Sequence, residues 1–371
     1  MWPTVNTAVG WTNDPRLRVL APLGRGGMSD VWLAALRGPA GFEKLVAVKQ
    51  LRMSDEVDRG AAFLHEARLA ARLNHPNIVQ TFEILAQGGN YRIVMEFLEG
   101  QPLNKVLHRA AGRIELRDLA RVLVDVLAGL HHAHELADRD GRPSNVVHRD
   151  VSPHNVFVTW EGGVKLLDFG VARFGREHTD DGLIKGKLTY MSPEQALSRP
   201  VDRRADLFAA GVMLWEFVAG RRMWAGLTDH QLYRELVAGR IPELVSHAPS
   251  APPELVEVCA RALAPDRGRR FATADEMRHA VEGWLARAGS PSPRRMGEWV
   301  SDLFAADRER LRAIVAQGAP DEEVLDPTVL GGPVRATPGA PAPRVVESER
   351  SDPTLLPSDL ATEPRRGASW A

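Results

Sequence analysis

The chain has a single cysteine, Cys259, among its 371 residues, so no internal disulfide can form. A reducing, cytoplasmic setting is expected on that ground. Charge of one sign is also missing: 47 basic residues stand against 48 acidic ones, for a net charge of −1. That balance argues against a nucleic-acid footprint and against a polybasic patch for lipid headgroups. No apolar run approaches the roughly 18 residues needed to cross a bilayer; the stretch from Leu119 to Leu130 is interrupted by Arg121 and Asp125. The first residues lack the basic start and apolar core of a signal peptide. Neither nucleic acid nor membrane is expected as a partner. The length exceeds what one typical core needs and suits two lobes with additions.

Three regions differ in pattern. Residues 16 to about 98 carry short β-prone runs, Val31 to Ala35 and Leu45 to Lys49, separated by the turn Gly38-Pro-Ala-Gly41. One helix is predicted among them, Arg59 to Leu73, with Ala62, Leu69, Ala70 and Leu73 on one face. Glu66 lies on that face too, and a carboxylate there needs a partner. From about 99 to 287 the pattern turns helical, with amphipathic segments at Leu116–Leu136, Ala205–Ala219 and Pro253–Leu263. Between the first two lies a loop-rich stretch, 140 to 200, dense in Gly, His, Asp and Asn, the kind of segment that mounts reactive groups on a scaffold. A further helical pattern runs from Arg295 to Gln317 with Trp299, Leu303 and Phe304 on one side. Residues 318 to 371 hold nine prolines and one aromatic, Trp370, which predicts a disordered tail.

Five motifs carry chemistry. Leu23-Gly-Arg-Gly-Gly-Met-Ser-Asp-Val-Trp32 places glycines between two strands, where a bare backbone can approach phosphate oxygens. Val46-Ala-Val-Lys49 puts Ala47 and Lys49 on one strand face, a small residue beside a cation, which suits an adenine ring followed by phosphates. Glu66 can pair with Lys49. In His148-Arg-Asp-Val-Ser-Pro-His-Asn155 a carboxylate, Asp150, and an amide, Asn155, stand five residues apart, one to accept a hydroxyl proton and one to bind Mg²⁺. Asp168-Phe-Gly170 follows the apolar run Val164 to Leu167 and offers a carboxylate to bridge a cation and phosphate. Each has a bland reading when taken alone: a hairpin, a snorkelling lysine, a common Asp-x-Gly turn. Their order and spacing together match the protein-kinase signature set.

On these motifs the sequence resembles the eukaryotic-like serine/threonine protein kinases, particularly bacterial ones, over residues 16 to 287. Tyr190-Met-Ser-Pro-Glu194 is similar to the family's Ala-Pro-Glu element, and Arg270 stands where its partner arginine belongs. The resemblance implies an α+β bilobal fold, a small β-rich lobe over 16–98 and a larger helical lobe over 99–287. Residues 1–15 would then be an N-terminal extension, 288–317 a helical C-terminal extension and 318–371 the tail. It implies ATP and Mg²⁺ or Mn²⁺ as cofactors, with the cation on Asn155 and Asp168. Leu23, Gly24, Gly26, Val31, Ala47, Phe157 and the hinge residues Glu96 and Leu98 would enclose the nucleotide, next to the gatekeeper Met95. Lys49 would neutralise charge and Asp150 would orient the hydroxyl of a protein substrate. His148 and Phe169 would be packing residues. The expected activity is transfer of the γ-phosphate of ATP to protein serine or threonine, with autophosphorylation; the alternative is a pseudokinase-like scaffold that binds nucleotide without transfer.

Three positions depart from the family pattern. Ser29 replaces the third glycine of the Gly-rich loop. Ser152 replaces the lysine two residues beyond Asp150, and Lys187 replaces the threonine that faces it from the activation segment. One reading is that Ser152 and Lys187 have exchanged roles, keeping one ammonium and one hydroxyl beside Asp150; the other is a weakened enzyme. Arg149 and Thr179 form a candidate regulatory pair, in which phosphate on Thr179 would order the loop. The tail repeats Asp326-Pro-Thr-Val-Leu330 as Asp352-Pro-Thr-Leu-Leu356, either by chance or as a phosphothreonine site for a reading partner. Several of these motifs resemble those of myxobacterial kinases.

Overall fold

A computed structural model describes residues 14–25, 29–51, 67–87, 90–110, 113–169 and 188–317. The β-prone N-terminal runs form five strands: β1 (Leu17–Arg25), β2 (Ser29–Arg37), β3 (Glu43–Leu51), β4 (Thr81–Gln87) and β5 (Asn90–Glu96). They pair antiparallel in the order β1-β2-β3-β5-β4. Strand β1 carries Pro22, which has no N–H for a ladder, and the register slips between Pro22 and Gly24 as a bulge absorbs it. Alternation assigns the two faces of the sheet. Ala34, Val46, Val48 and Val94 cluster with Leu17 on one face, while Leu33 and Ala35 belong to a different cluster on the other. Of the helix predicted from Arg59 to Leu73, the described backbone is helical at residues 67–70; Glu66 and the residues before it lie outside the described residues.

The second half of the chain is helical, built around α1 (Leu103–Ala110), α2 (Leu116–His134), α3 (Arg204–Ala219), α4 (Asp229–Val237), α5 (Pro253–Ala262) and α6 (Ala274–Ala288). Helix α3 is buried on all sides, from Ala205 through Phe217, as expected for a mainly apolar helix at the centre of a bundle. It packs on α2 and α5. Gly211 is required at the α5 crossing, because a Cβ there would stand 2.8 Å from Cβ of Ala262. Gly220, in the left-handed region at φ 64°, ends α3. A small second sheet, β6 (Gly100–Pro102), β7 (Val156–Thr159) and β8 (Val164–Leu166), lies under the connection between lobes.

The pattern from Arg295 to Gln317 predicts one helix, and the structure has two: α7 (Pro293–Leu303) and α8 (Ala305–Gln317). Phe304 leaves the helical region, at φ −127° and ψ 29°. Neither Pro nor Gly marks this break. It falls where the chain passes from one supporting surface to another: α7 packs on β7, β6 and α1, and α8 packs on β1. The buried stripe also differs from the predicted one. Met296, Val300 and Phe304 are buried, whereas Trp299 and Leu303 are only half-buried. No helix among the described residues is long and apolar enough to cross a membrane.

Candidate active site

The loop 148–155, between α2 and β7, is held from beneath by one buried carboxylate. Asp206, in the first turn of α3 and 1% exposed, accepts the backbone N–H of His148 at 2.8 Å and of Arg149 at 2.7 Å. Its Oδ2 also lies 2.8 Å from Nε2 of His134. These bonds secure an unfavourable backbone, since Arg149 sits at φ 65° without being glycine. Burial alone would raise the Asp206 carboxyl; the bond to His134, with the charges of His134 and His148, outweighs it and leaves the group below its ordinary value.

Asp150 and Asn155 are brought together by the loop's own bonds. The side-chain Nδ2 of Asn155 donates to the Asp150 carbonyl at 2.7 Å. That commits the nitrogen and leaves Oδ1 of Asn155 as its free end. The Asn155 carbonyl in turn accepts the N–H of Leu167 at 2.8 Å, which ties the segment after β8 to the same loop. Asp168 follows at φ 47°, a second strained non-glycine residue. Its Oδ1 is 2.7 Å from Nζ of Lys49 across the cleft. Desolvation in the cleft raises the Asp168 carboxyl, but the Lys49 charge and hydrogen bond exceed it, so the net direction is down. The ring of His148, fully buried, packs 4.6 Å from that of Phe169 and bonds the Leu167 carbonyl.

A cavity of about 250 Å³ opens between the lobes at this point. Its upper wall is Leu23, Gly24, Val31 and Ala47, and its lower wall includes Asn155, Phe157 and Asp168. Met95, Glu96, Phe97 and Leu98 close the back. The sequence pointed to all of these, Phe97 as the residue between the two hinge positions. Val79, Asn104, His154 and Leu167 also line it and were not anticipated; His154 could have been, as the residue before Asn155 on the same loop. Glu96 is already engaged: its N–H donates to the Gln80 carbonyl at 2.8 Å and its carboxylate pairs with Lys165 at 2.7 Å. That holds the residue in place and leaves its carbonyl to meet a ligand. Ser152 is buried at 6% and does not line the cavity. A larger, shallower groove of about 520 Å³ lies near His75, His132 and Arg278 and holds none of the predicted site residues.

Beyond the cleft, the segment after residue 187 is firmly anchored. Tyr190 donates its hydroxyl to Glu216 at 2.7 Å, and Arg222 bonds the same carboxylate at 2.9 Å. Trp224 Nε1 donates to the Thr189 carbonyl at 3.1 Å. Glu194 and Arg270 form a buried bidentate pair at 2.7 and 2.9 Å. Gly26, Glu66, Thr179, Lys187 and the two tail repeats lie outside the described residues.

Residues 17–281 match the protein kinase domain family. The chain is 39% identical over 295 residues to "Tyrosine-protein kinase MasK" of Myxococcus xanthus, an alignment covering 77% of this chain and 46% of that protein. It is 30% identical to "Serine/threonine-protein kinase pkn3" of Myxococcus xanthus, over 99% of this chain and 69% of that one. Among solved structures, the kinase domain of Mycobacterium tuberculosis PknI superposes with a TM-score of 0.54 at 25% identity, covering 72% of this chain and 96% of that domain. The chain belongs to the protein kinase family, in its bacterial eukaryotic-like branch. It spans less than half the length of MasK.

Proposed function

We propose that this chain moves the γ-phosphate of ATP onto hydroxyl groups of proteins, with serine and threonine as acceptors. The observation that carries this reading is the Lys49–Asp168 contact at 2.7 Å on the edge of a cavity that also holds Asn155. A purine fits between Ala47 and Phe157, with the Glu96 carbonyl as its hydrogen-bond acceptor. The phosphates would then reach Lys49. Phosphoryl transfer has a loose, anionic transition state, so positioned charge supplies most of the catalysis. Asp150 lies one peptide from the strained Arg149 and would accept the proton of the incoming hydroxyl.

The residues present fit a divalent cation that arrives with the nucleotide. Among the described residues no three His, Cys, Asp or Glu side chains gather to hold a metal alone. Asp168 and the free Oδ1 of Asn155 supply two oxygen ligands on the cavity wall, the arrangement Mg²⁺ accepts when phosphates complete its shell. When bound, the cation would neutralise charge on the phosphates. ATP also sets the setting, since it is made and used inside the cell.

Replacing Lys49 by Met should lower autophosphorylation and casein phosphorylation about 10²–10³-fold while the chain stays folded. Full activity in that variant would refute the assignment. Phosphoamino-acid analysis of the products decides the acceptor. The likeness to MasK favours a second reading, in which tyrosine is the acceptor, and Ser152 offers that reading a short side chain where the family's lysine would stand; phosphotyrosine as the main product would establish it. The exchange of roles between Ser152 and Lys187 is tested in the same assay. The double variant Ser152→Lys with Lys187→Thr should regain activity that each single variant loses, and additive losses would sink the exchange.

A further inference from the structure

Helices α7 and α8 lie outside the residues that match the kinase family, which end at 281. Yet they are attached to both lobes. On the lower side, α7 approaches the β7–β8 turn so closely that a Cβ on Gly297 would stand 2.5 Å from the Trp160 carbonyl oxygen. Arg109 of α1 then secures the start of α8: it donates to the Leu303 carbonyl at 3.0 Å, pairs with Asp307 at 2.6 Å and lies 4.1 Å over the Phe304 ring. On the upper side, Leu311 and Ile314, each 6% exposed, are buried in one cluster with Leu20, Ala21, Leu33 and Ala35.

The register of the sheet shows what this contact does. Val31 pairs with Lys49, Leu33 with Ala47 and Ala35 with Leu45. Alternation places all six on one face. The Val31 end of that face lines the cavity, whereas Leu33, Ala35 and Leu45 pack in the cluster of Leu311 and Ile314. The ligand cavity and α8 are therefore neighbours beneath the same sheet. What separates them is one layer of side chains: Leu23 and Phe97 line the cavity and also pack against that cluster. The gap left between α8 and this wall is only about 20 Å³, bounded by Leu23, Phe97, Leu98, Phe157, Asp307 and Leu311. A wall that faces an open cavity on one side keeps its position only if the other side is filled, because only that side supplies packing contacts.

We infer that α8 is a positioning element of the nucleotide site. Leu311 and Ile314 hold Leu23 and Phe97 where an adenine ring needs them, and the Arg109–Asp307 contact fixes the helix against the lower lobe. Nucleotide affinity thus depends on a helix that the kinase family's own residues do not include. This rests on the nucleotide-binding reading above. The full-length chain is used for the test, with ATP binding measured by calorimetry and kinetics measured on casein. Leu311→Ala should raise the Kd and the KM for ATP about fivefold. In the same variant kcat should fall less than KM rises, and the KM for casein should not move. Leu311→Met, which conserves volume, should return the Kd to within about twofold of the unaltered chain. Asp307→Asn, which leaves the upper cluster filled, should shift the Kd in the same direction and decides the matter if Leu311→Ala does not fold. The inference is overturned if folded variants bind ATP as the unaltered chain does, or if activity drops with KM unchanged, the mark of a smaller folded fraction. An unaltered chain that does not bind ATP sinks this inference and the proposed function together; normal binding with insensitive variants sinks this inference alone.

Discussion

Asp206 shows at the scale of one residue how this chain holds its reactive loop. Two backbone N–H groups and His134 converge on a carboxylate that is 1% exposed, beside the left-handed Arg149. The folded-state carboxyl is lowered from about 3.8. A depressed carboxyl contributes stability that is complete above its unfolded value and is lost as pH falls through the lower folded one. Asp206→Asn should therefore cost about 3 kcal/mol at pH 6, from weakened bonds to a charged acceptor. The gap between variant and unaltered chain should narrow in urea titrations below about pH 3.8, and a gap that stays constant with pH would refute this account. Much of the site was legible in the sequence at this scale. Motif order and spacing pointed to Lys49, Asp150, Asn155 and Asp168 because chemistry restricts residue type there. The Glu194–Arg270 pair was readable for the same reason. The Tyr190–Glu216–Arg222 contacts were not, since a tyrosine, a helix carboxylate and a loop arginine up to 32 residues apart carry no mark of their meeting. Nor was the second engagement of Glu96 with Lys165, which reserves the Glu96 side chain and leaves its carbonyl to a ligand.

Elements are set by the surfaces they meet as much as by their own pattern, and α7 illustrates it. A helical period was visible there, and so helix was legible, but its buried face, Met296, Val300 and Phe304, was not the one expected. Its end at Phe304 was not legible, because that end is imposed by the change of support from α1, β6 and β7 to β1. Two glycines separate propensity from contact. Gly297 in α7 faces backbone, with Trp160 O at 2.5 Å and both Glu161 C and Gly162 N at 2.7 Å from an added Cβ. Gly283 in α6 has nothing within 4 Å of that position. Alanine favours a helix over glycine by about 0.5–1 kcal/mol, so Gly283→Ala should stabilise the chain by about that amount. Gly297→Ala gains the same propensity but must push α7 off rigid backbone, for a net loss of about 1–2 kcal/mol. Opposite shifts of the urea midpoint are expected from the same chemical change. Shifts of one sign in both variants would show that α7 is not pressed against the β7–β8 turn.

For the whole molecule, the bridge made by α7 and α8 turns a local contact into a coupling between sites. If packing of α8 strengthens nucleotide binding, then bound nucleotide must strengthen the packing of α8 by the same factor, because coupling free energy is reciprocal. The two lobes meet at the hinge around Glu96 to Gly100, and the bridge is a second connection that does not pass through it. Arg109 on the lower lobe and Leu20 and Leu33 on the upper lobe both bear on one helix of 13 residues. Closing the lobes on a ligand must then compress or relax that helix. Hydrogen exchange reads this directly, since local opening of a single helix is governed by its packing rather than by global stability. Amides of residues 305–317 should exchange about fivefold more slowly with saturating non-hydrolysable ATP analogue than without it, matching the change in affinity expected of Leu311→Ala. Helix α4, which packs on residues 188–196 and does not line the cavity, is the internal reference and should not change. Slower exchange at α8 that persists in Leu311→Ala would mean the protection comes from elsewhere. Equal exchange with and without nucleotide in the unaltered chain would leave the two sites uncoupled, whatever their distance.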